Sequence, residues 1–227
     1  MSDIVLIGGL WLAPDVWTGV TTELARLGRR GVPVSLPGQV GEGQVKGNPA
    51  TLDDQVDAAL AAVDGCAEPP LVVGHSAAAS LAWIAADRRP VAGVALIGGV
   101  PVADGEAYAD FLPIVDGAMP FPGWPAFEGP DAADLDPATR ERLAAAMIPV
   151  PEGVALGTVR LRNEARYDVP VTLICPEFSP DEARAWLAAG DLPELAKVHN
   201  LTLVDLDSGH WPMVTRPAEL AALLGKC

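Results

Sequence analysis

The chain has 227 residues, of which 50% are hydrophobic and 20% are charged. This composition is typical of a folded protein with one sizeable core, and it excludes a disordered segment. The formal net charge of −15 argues against nucleic acid and anionic membrane surfaces as partners, because both repel a polyanion.

The cysteines and the first residues of the chain indicate the cellular compartment. Cys66, Cys175 and Cys227 are an odd number without the spacing of a metal site, which is typical of a reduced cytoplasmic protein. The opening MSDIVLIGGL lacks the basic start of a secretory signal, and no apolar stretch reaches the length of a membrane span. We therefore expect a cytoplasmic monomer or homodimer that acts on a small molecule and holds no metal.

Short apolar runs alternate with helical patterns, which predicts an α/β fold with three layers, helices packing on both faces of a parallel sheet. The six predicted strands lie at about 4–7, 32–36, 70–73, 93–98, 170–175 and 201–206. A helix is expected from Pro14 to about Gly28. A second is expected to begin at Thr51, which has the spacing of a capping box with Asp54.

The alternation stops at residues 100–167, which are rich in Pro and Gly and have their clearest helical pattern in DPATRERLAAAMIP. Such a long connection between the fourth and fifth strands is unusual and suggests a function of its own. We expect residues 1–99 and 168–227 to form the core, with 100–167 as a cap. The cap would cover the carboxyl edge of the sheet, where open α/β sheets bind ligands.

The segment LVVGHSAAASLAW contains the strongest candidate for chemistry. Ser76 follows a predicted strand and precedes a predicted helix, with Gly74 two residues before it and Ala78 two residues after it. This is the G-x-S-x-G pattern of a nucleophile elbow with Ala in the last position. The alternative is a serine that only caps the helix.

A serine nucleophile needs a base, and the chain has three histidines. His210 follows the last strand at the same sheet edge as Ser76, so we predict that it is the general base. His199 precedes that strand and belongs to the opposite edge. His75 adjoins Ser76, where a structural role or a place in the pocket wall is expected.

The oxyanion that forms during acyl transfer needs two backbone N–H donors. One is expected from Ala77, at the positive end of the helix. The other is expected from Leu10, in the loop IGGLWLAP, where Gly8 and Gly9 allow a tight turn. An ordinary turn is the alternative for this loop.

Together these features resemble the α/β-hydrolase fold family. The resemblance rests on the loop that contains Leu10, on LPG at 36–38, on the elbow at Ser76 and on the segment around His210. ICPEFSPDEARAW and GHWPMVTRPAEL especially resemble small plant-type methylesterases, hydroxynitrile lyases and their bacterial relatives. The resemblance implies the sheet order 2-1-3-4-5-6 and no cofactor. It departs from the family at Gly8-Gly9, where His-Gly is frequent.

The resemblance also implies an acid that orients the histidine, usually an Asp after the penultimate strand. The matching positions here are Phe178 or Ser179, and neither can serve. Glu177 is adjacent and is the first candidate. The alternatives are Asp181, Asp104 and Glu106, or no acid at all. Asp207 is too close to His210 in the chain to be a convincing partner.

A pocket between sheet and cap is predicted to be apolar. Its expected lining is Gly9, Leu10, Trp11, His75, Met119, Phe121, Trp124, Phe127 and Trp211. For each aromatic residue the alternative is packing inside the cap. Arg160, Arg162 and Arg166 are candidates for binding a substrate carboxylate, although such clusters are more often solvated or paired with local acids.

Three functions fit this set of residues. The first is a carboxylesterase-like serine hydrolase of small to medium apolar esters, thioesters or lactones, acting through an acyl-Ser76 intermediate. The second is a lyase or cyclase in which His210 acts as acid and base. A lysine in the pocket would favour it, and Lys46, Lys197 and Lys226 are the only lysines. The third is a ligand-binding protein on a hydrolase scaffold.

Overall fold

The computed structural model describes residues 3–39 and 49–227, in which a parallel sheet of six strands has helices on both faces. The strands of the whole described chain are β1 (Ile4–Ile7), β2 (Gly31–Pro33), β3 (Leu71–His75), β4 (Gly93–Ile97), β5 (Ala118–Met119), β6 (Val150–Pro151), β7 (Val171–Cys175) and β8 (Leu201–Asp205). The large sheet has the order β2-β1-β3-β4-β7-β8. Because β5 and β6 pair only with each other, the predicted order 2-1-3-4-5-6 is confirmed.

The helices occupy the predicted gaps between strands. They are α1 (Thr18–Arg26), α2 (Leu52–Asp64), α3 (Ala79–Arg88), α4 (Pro137–Ala146), α5 (Glu152–Ala155), α6 (Pro180–Ala189), α7 (Pro212–Thr215) and α8 (Pro217–Leu224). The predicted capping box at the start of α2 is present, with Thr51 N donating to Asp54 Oδ2 at 2.8 Å. Among the helices of residues 3–39 and 49–227, none is long and apolar enough to cross a bilayer.

Alternating side chains of the strands divide the core into two halves. In β1, Ile4 and Leu6 pack with residues of α1 and α8, whereas Val5 and Ile7 face the opposite side with residues of α2 and α3. All four are fully buried, as expected for a strand that is covered on both faces. The predicted three-layer α/β architecture is therefore confirmed.

The strand β2 is shorter than predicted. The apolar run at 32–36 continues beyond Pro33, but the chain leaves the sheet after one more hydrogen bond, from Val34 N to Leu6 O at 2.9 Å. β2 is an edge strand, where a proline without an N–H is tolerated and pairing ends early.

Residues 100–167, called the insertion below, separate two neighbouring strands, β4 and β7. They contain the antiparallel pair β5–β6 and the predicted helix α4. The insertion is fastened to the loop after β1, because Ile148 N donates to Trp11 O at 3.0 Å and Trp11 Nε1 donates to Met119 O at 3.1 Å. It therefore lies against the carboxyl edge of the sheet.

Candidate active site

Ser76 sits at a sharp turn between β3 and α3. Its φ of +54° lies in the left-handed region, which is strained for a residue with a side chain. The turn is possible because its neighbours are small. A Cβ on Gly74 would be 2.4 Å from Ala78 O, and one on Gly99 would be 2.3 Å from Ser76 O. Gly99 is a requirement of this turn that the local pattern around Ser76 did not indicate.

Glu177 and His210 form a close pair at the same sheet edge. Glu177 follows β7 and His210 follows β8, and Glu177 Oε1 lies 2.7 Å from His210 Nδ1. Both side chains are only 13% exposed, so this contact is largely shielded from water. Gly98 makes the pair possible, because a Cβ there would be 3.0 Å from Glu177 Oε2 and 3.1 Å from His210 Nδ1.

Two further contacts hold the backbone of His210. His75 Nε2 lies 2.7 Å from His210 O, so the ring donates this hydrogen bond to the carbonyl. His210 N in turn donates to Asp131 O of the insertion, also at 2.7 Å. Burial, followed by the neighbouring His210, holds the pKa of His75 well below its ordinary value. His75 is therefore a neutral ring that positions His210.

The loop after β1 approaches Ser76 closely. A Cβ on Gly9 would be 2.9 Å from His75 Nδ1 and 3.0 Å from Ser76 Cβ, so only glycine allows this approach. Two glutamines hold this loop through hydrogen bonds. Gln39 Nε2 donates to Gly9 O at 3.0 Å, and Gln55 Nε2 donates to Gln39 Oε1 at 3.1 Å. Both glutamines are buried, and neither stood out in the sequence.

A small cavity of about 50 Å³ opens between Ser76 and His210. Its lining is Leu10, Trp11, His75, Ser76, Phe111, Phe127, His210 and Trp211. Gly9 and Met119 were expected in this wall but do not belong to it. The same is true of Phe121 and Trp124. They pack behind it, with ring centroids 5.5 Å apart for Phe121 and Trp11 and 5.3 Å apart for Trp124 and Trp211.

A larger cavity of about 420 Å³, called the chamber below, also borders Ser76. Its walls come from the start of α3 and from the chain between β4 and β5. The lining is Ser76, Ala77, Ser80, Gly98, Gly99, Val100, Val102, Glu106, Ala107, Tyr108, Ala109, Asp110 and Phe111. Ser76 and Phe111 border both cavities. The chamber was not predicted, because no periodic pattern marks the part of the insertion that encloses it.

The other candidate acids have different partners. Asp104 Oδ1 accepts a hydrogen bond from Leu161 N at 2.7 Å and so joins the beginning of the insertion to its end. Asp181 pairs with Arg184 on the exposed surface of α6. Glu106 lines the chamber. Of these candidates, Glu177 is thus the one that lies within hydrogen-bonding distance of His210.

The expectation that Arg166 could bind a substrate carboxylate is wrong. Arg166 is 5% exposed, and its guanidinium lies 3.2 Å from Asp87 Oδ1 and 2.9 Å from Glu194 Oε2. Both carboxylates are buried with it, so the guanidinium is already neutralised inside the protein. Arg160 and Arg162 are exposed and line neither cavity.

The remaining basic candidates lie away from the two cavities. Lys197 and Lys226 are exposed, and Lys46 lies outside the described residues. His199 pairs with Asp168 at 2.8 Å, at the edge of the sheet opposite Ser76, as its position before β8 predicted. Within residues 3–39 and 49–227, no group of three His, Cys, Asp or Glu side chains is arranged to hold a metal ion.

The sequence model of the alpha/beta hydrolase family matches residues 4–223. No curated protein matches the sequence. Among solved structures, an extracellular alpha/beta-hydrolase from a Paenibacillus species is 17% identical, with a TM-score of 0.77, and the match covers 99% of this chain and 98% of that one.

Two further solved structures give comparable matches. A methylesterase from Arabidopsis is 17% identical with a TM-score of 0.77, covering 100% of this chain and 98% of its own. A pyrethroid hydrolase from Sphingobium faniae is 19% identical with a TM-score of 0.70, covering 99% and 96%. These likenesses concern the fold, whereas the family model spans nearly the whole sequence. The predicted family is confirmed: the chain belongs to the alpha/beta hydrolase family.

Proposed function

We propose that the protein is a serine hydrolase of carboxylic esters, with Ser76 as nucleophile, His210 as general base and Glu177 as the orienting acid. The observation that carries this proposal is the 2.7 Å contact of Glu177 with His210, beside a cavity that both His210 and Ser76 line. The methylesterase and the pyrethroid hydrolase among the similar structures support the same class of reaction.

In this mechanism Ser76 Oγ attacks the ester carbonyl carbon while its proton passes to His210 Nε2. Glu177 stays ionised, holds Nδ1–H and stabilises the imidazolium. The imidazolium then gives its proton to the departing alcohol, and a water molecule activated by His210 hydrolyses the acyl-Ser76 ester. Among the described residues, no hydrogen bond joins Ser76 Oγ to His210. Such bonds often tighten only when substrate is bound.

The amides of Leu10 and Ala77 would stabilise the oxyanion. The N–H of Leu10 shares a planar trans peptide with Gly9 O, so the two groups point in opposite directions. Gln39 Nε2 donates to Gly9 O at 3.0 Å and thereby fixes the orientation of the peptide that carries the Leu10 N–H. Gln39 is a positioning residue in this account.

Replacing Gln39 with methionine, which keeps the length of the side chain but removes the donor, is expected to lower kcat by about tenfold. This is less than the loss of a complete oxyanion donor, which costs roughly 10²-fold or more. KM should change little, because the ground-state carbonyl depends weakly on the donor. A variant that raises KM and leaves kcat intact would contradict the positioning role.

We also propose that residues 100–167 act as a cap. They supply Phe111 and Phe127 to the wall of the small cavity, and Asp131 to the backbone of His210. The two cavities suggest a substrate with a small half and a larger half, joined at the ester carbon near Ser76. The apolar walls of the small cavity suit an alkyl group.

The proposal is tested by covalent labelling. The protein, Ser76→Ala and the matched control Ser35→Ala, which alters an exposed serine, are treated with a fluorophosphonate and weighed as intact proteins. One adduct on the wild type and the control, and none on Ser76→Ala, is expected. A folded wild type that takes no adduct would contradict an activated serine.

A further inference from the structure

We propose that the chamber is an acyl-group site that selects substrates whose acyl chain ends in an ammonium group and rejects those that end in a carboxylate. This inference rests on the proposed esterase function and specifies its substrate class.

The position of His210 decides which half of the ester enters the chamber. His210 lines the small cavity and does not line the chamber. The leaving oxygen must lie near His210 to receive its proton, so the alcohol occupies the small cavity. The acyl chain then extends from Ser76 into the chamber of about 420 Å³, which Ser76 lines and His210 does not.

Two neutral hydroxyl groups line the interior of the chamber. Ser80 is 1% exposed and Tyr108 is 3% exposed. Ser80 Oγ accepts a hydrogen bond from Val102 N at 3.2 Å. Burial raises the pKa of the Tyr108 phenol, so this group stays neutral. These hydroxyls add no positive charge to the wall. A hydroxyl can face a cation with its oxygen or donate to an anion, so the sign of the preference comes from the charged residues and the aromatic rings.

The charged residues in the wall have one sign. Glu106 and Asp110 line the chamber and are exposed to solvent, and among residues 3–39 and 49–227 no Lys or Arg belongs to its lining. Tyr108 and Phe111 add two aromatic rings, whose faces attract ammonium groups. Two carboxylates and two rings around one cavity favour a cation and repel an anionic chain end. Because Glu106 and Asp110 are exposed, added salt should weaken this selection.

The test compares three methyl esters of similar length. They carry a 4-(trimethylammonio)butanoyl group, its uncharged isostere 5,5-dimethylhexanoyl, and a glutaryl group with a free carboxylate. We expect the ratio of kcat/KM for the cationic ester to that for the neutral ester to fall about tenfold in Glu106→Gln/Asp110→Asn at low salt. The anionic ester should be the slowest with the wild type and should gain in this variant.

A matched control removes the same charge elsewhere. Glu128→Gln/Glu141→Gln alters two exposed carboxylates of the insertion that do not line the chamber. The control should keep the wild-type ratio. If both double variants lower the ratio equally, or if neither does, the effect does not come from the chamber and the proposal is overturned.

Binding without turnover separates this inference from the proposed function. In Ser76→Ala, the cationic ester should bind more tightly than the neutral ester, and adding Glu106→Gln/Asp110→Asn should remove the difference, as measured by calorimetry. This result would support the chamber site even if the fluorophosphonate failed to label Ser76. Labelling of Ser76 with no charge preference in binding or in turnover would overturn the chamber site alone.

Discussion

Replacing Glu177 with glutamine is expected to lower kcat by about 10⁴-fold, because an amide cannot hold His210 as the carboxylate does. Its NH₂ group can donate to Nδ1, which leaves the proton on Nε2 and prevents His210 from accepting the proton of Ser76. The amide also cannot stabilise the imidazolium. KM should change much less, because Glu177 does not line the small cavity or the chamber.

The matched control is Asp181→Asn, which alters an exposed carboxylate four residues further along the chain. It should leave kcat at the wild-type value. Steady-state rates with a methyl ester measure both variants, and circular dichroism checks that both fold. If Glu177→Gln kept activity within tenfold of the wild type, Glu177 would not be the acid of the triad.

Arg166→Met is expected to lower the free energy of unfolding by about 3–5 kcal/mol at pH 7. The substitution leaves Asp87 and Glu194 buried without the guanidinium that contacts both. Lys197 Nζ, 3.8 Å from Glu194 Oε1, is exposed and compensates Glu194 only weakly. The matched control Arg160→Met removes an exposed arginine from the same segment and should change stability by less than about 0.5 kcal/mol. Urea unfolding followed by tryptophan fluorescence measures both.

The loss of unfolding free energy in Arg166→Met is expected to depend on pH. Burial would raise the pKa of Glu194, but hydrogen bonds from Trp83, Arg166 and Tyr167 lower it below its ordinary value. A lowered folded pKa stabilises the protein above the unfolded pKa of about 4.3, and this stabilisation disappears as the pH falls through the folded pKa. In Arg166→Met the hydrogen bonds from Arg166 are lost, so the effect of burial on Glu194 dominates. Protonation of Glu194 at low pH then relieves the cost of burying its charge.

The stability difference between the wild type and Arg166→Met should therefore be smaller near pH 4 than at pH 7. A difference that stayed constant between these pH values would show that Arg166 acts through packing rather than through its charge.

Local patterns were sufficient to predict most of the sheet and its turn at Ser76. Strands such as Val171–Cys175 are short apolar runs between turn residues, and their alternation with helices indicates parallel pairing. The elbow was predictable because Gly74 and Ala78, two of the small residues that it requires, lie within two positions of Ser76, whereas the need for Gly99 was not visible locally. The placement of His210 at the same edge follows from its position directly after a strand.

Features that depend on distant parts of the chain were not predictable in the same way. Glu177 and Asp181 both follow β7, and only the folded loop shows that Glu177 lies on His210. Arg166 looked like a surface cation because its buried partners, Asp87 and Glu194, are far away in sequence. The local sequence around an aromatic residue does not show whether its side chain lines a cavity or packs inside the insertion.

The hydrogen bond from His210 N to Asp131 O makes the position of the proposed base depend on the insertion. If the segment around Asp131 swung outward to admit a substrate, it would release the backbone of His210 at the same moment. In such an arrangement, the site could not be open at the wall formed by this segment and hold His210 in position at the same time. Phe111 is 65% exposed, borders both cavities and carries no such bond to His210 among the described residues, so passage beside its ring leaves the base in place.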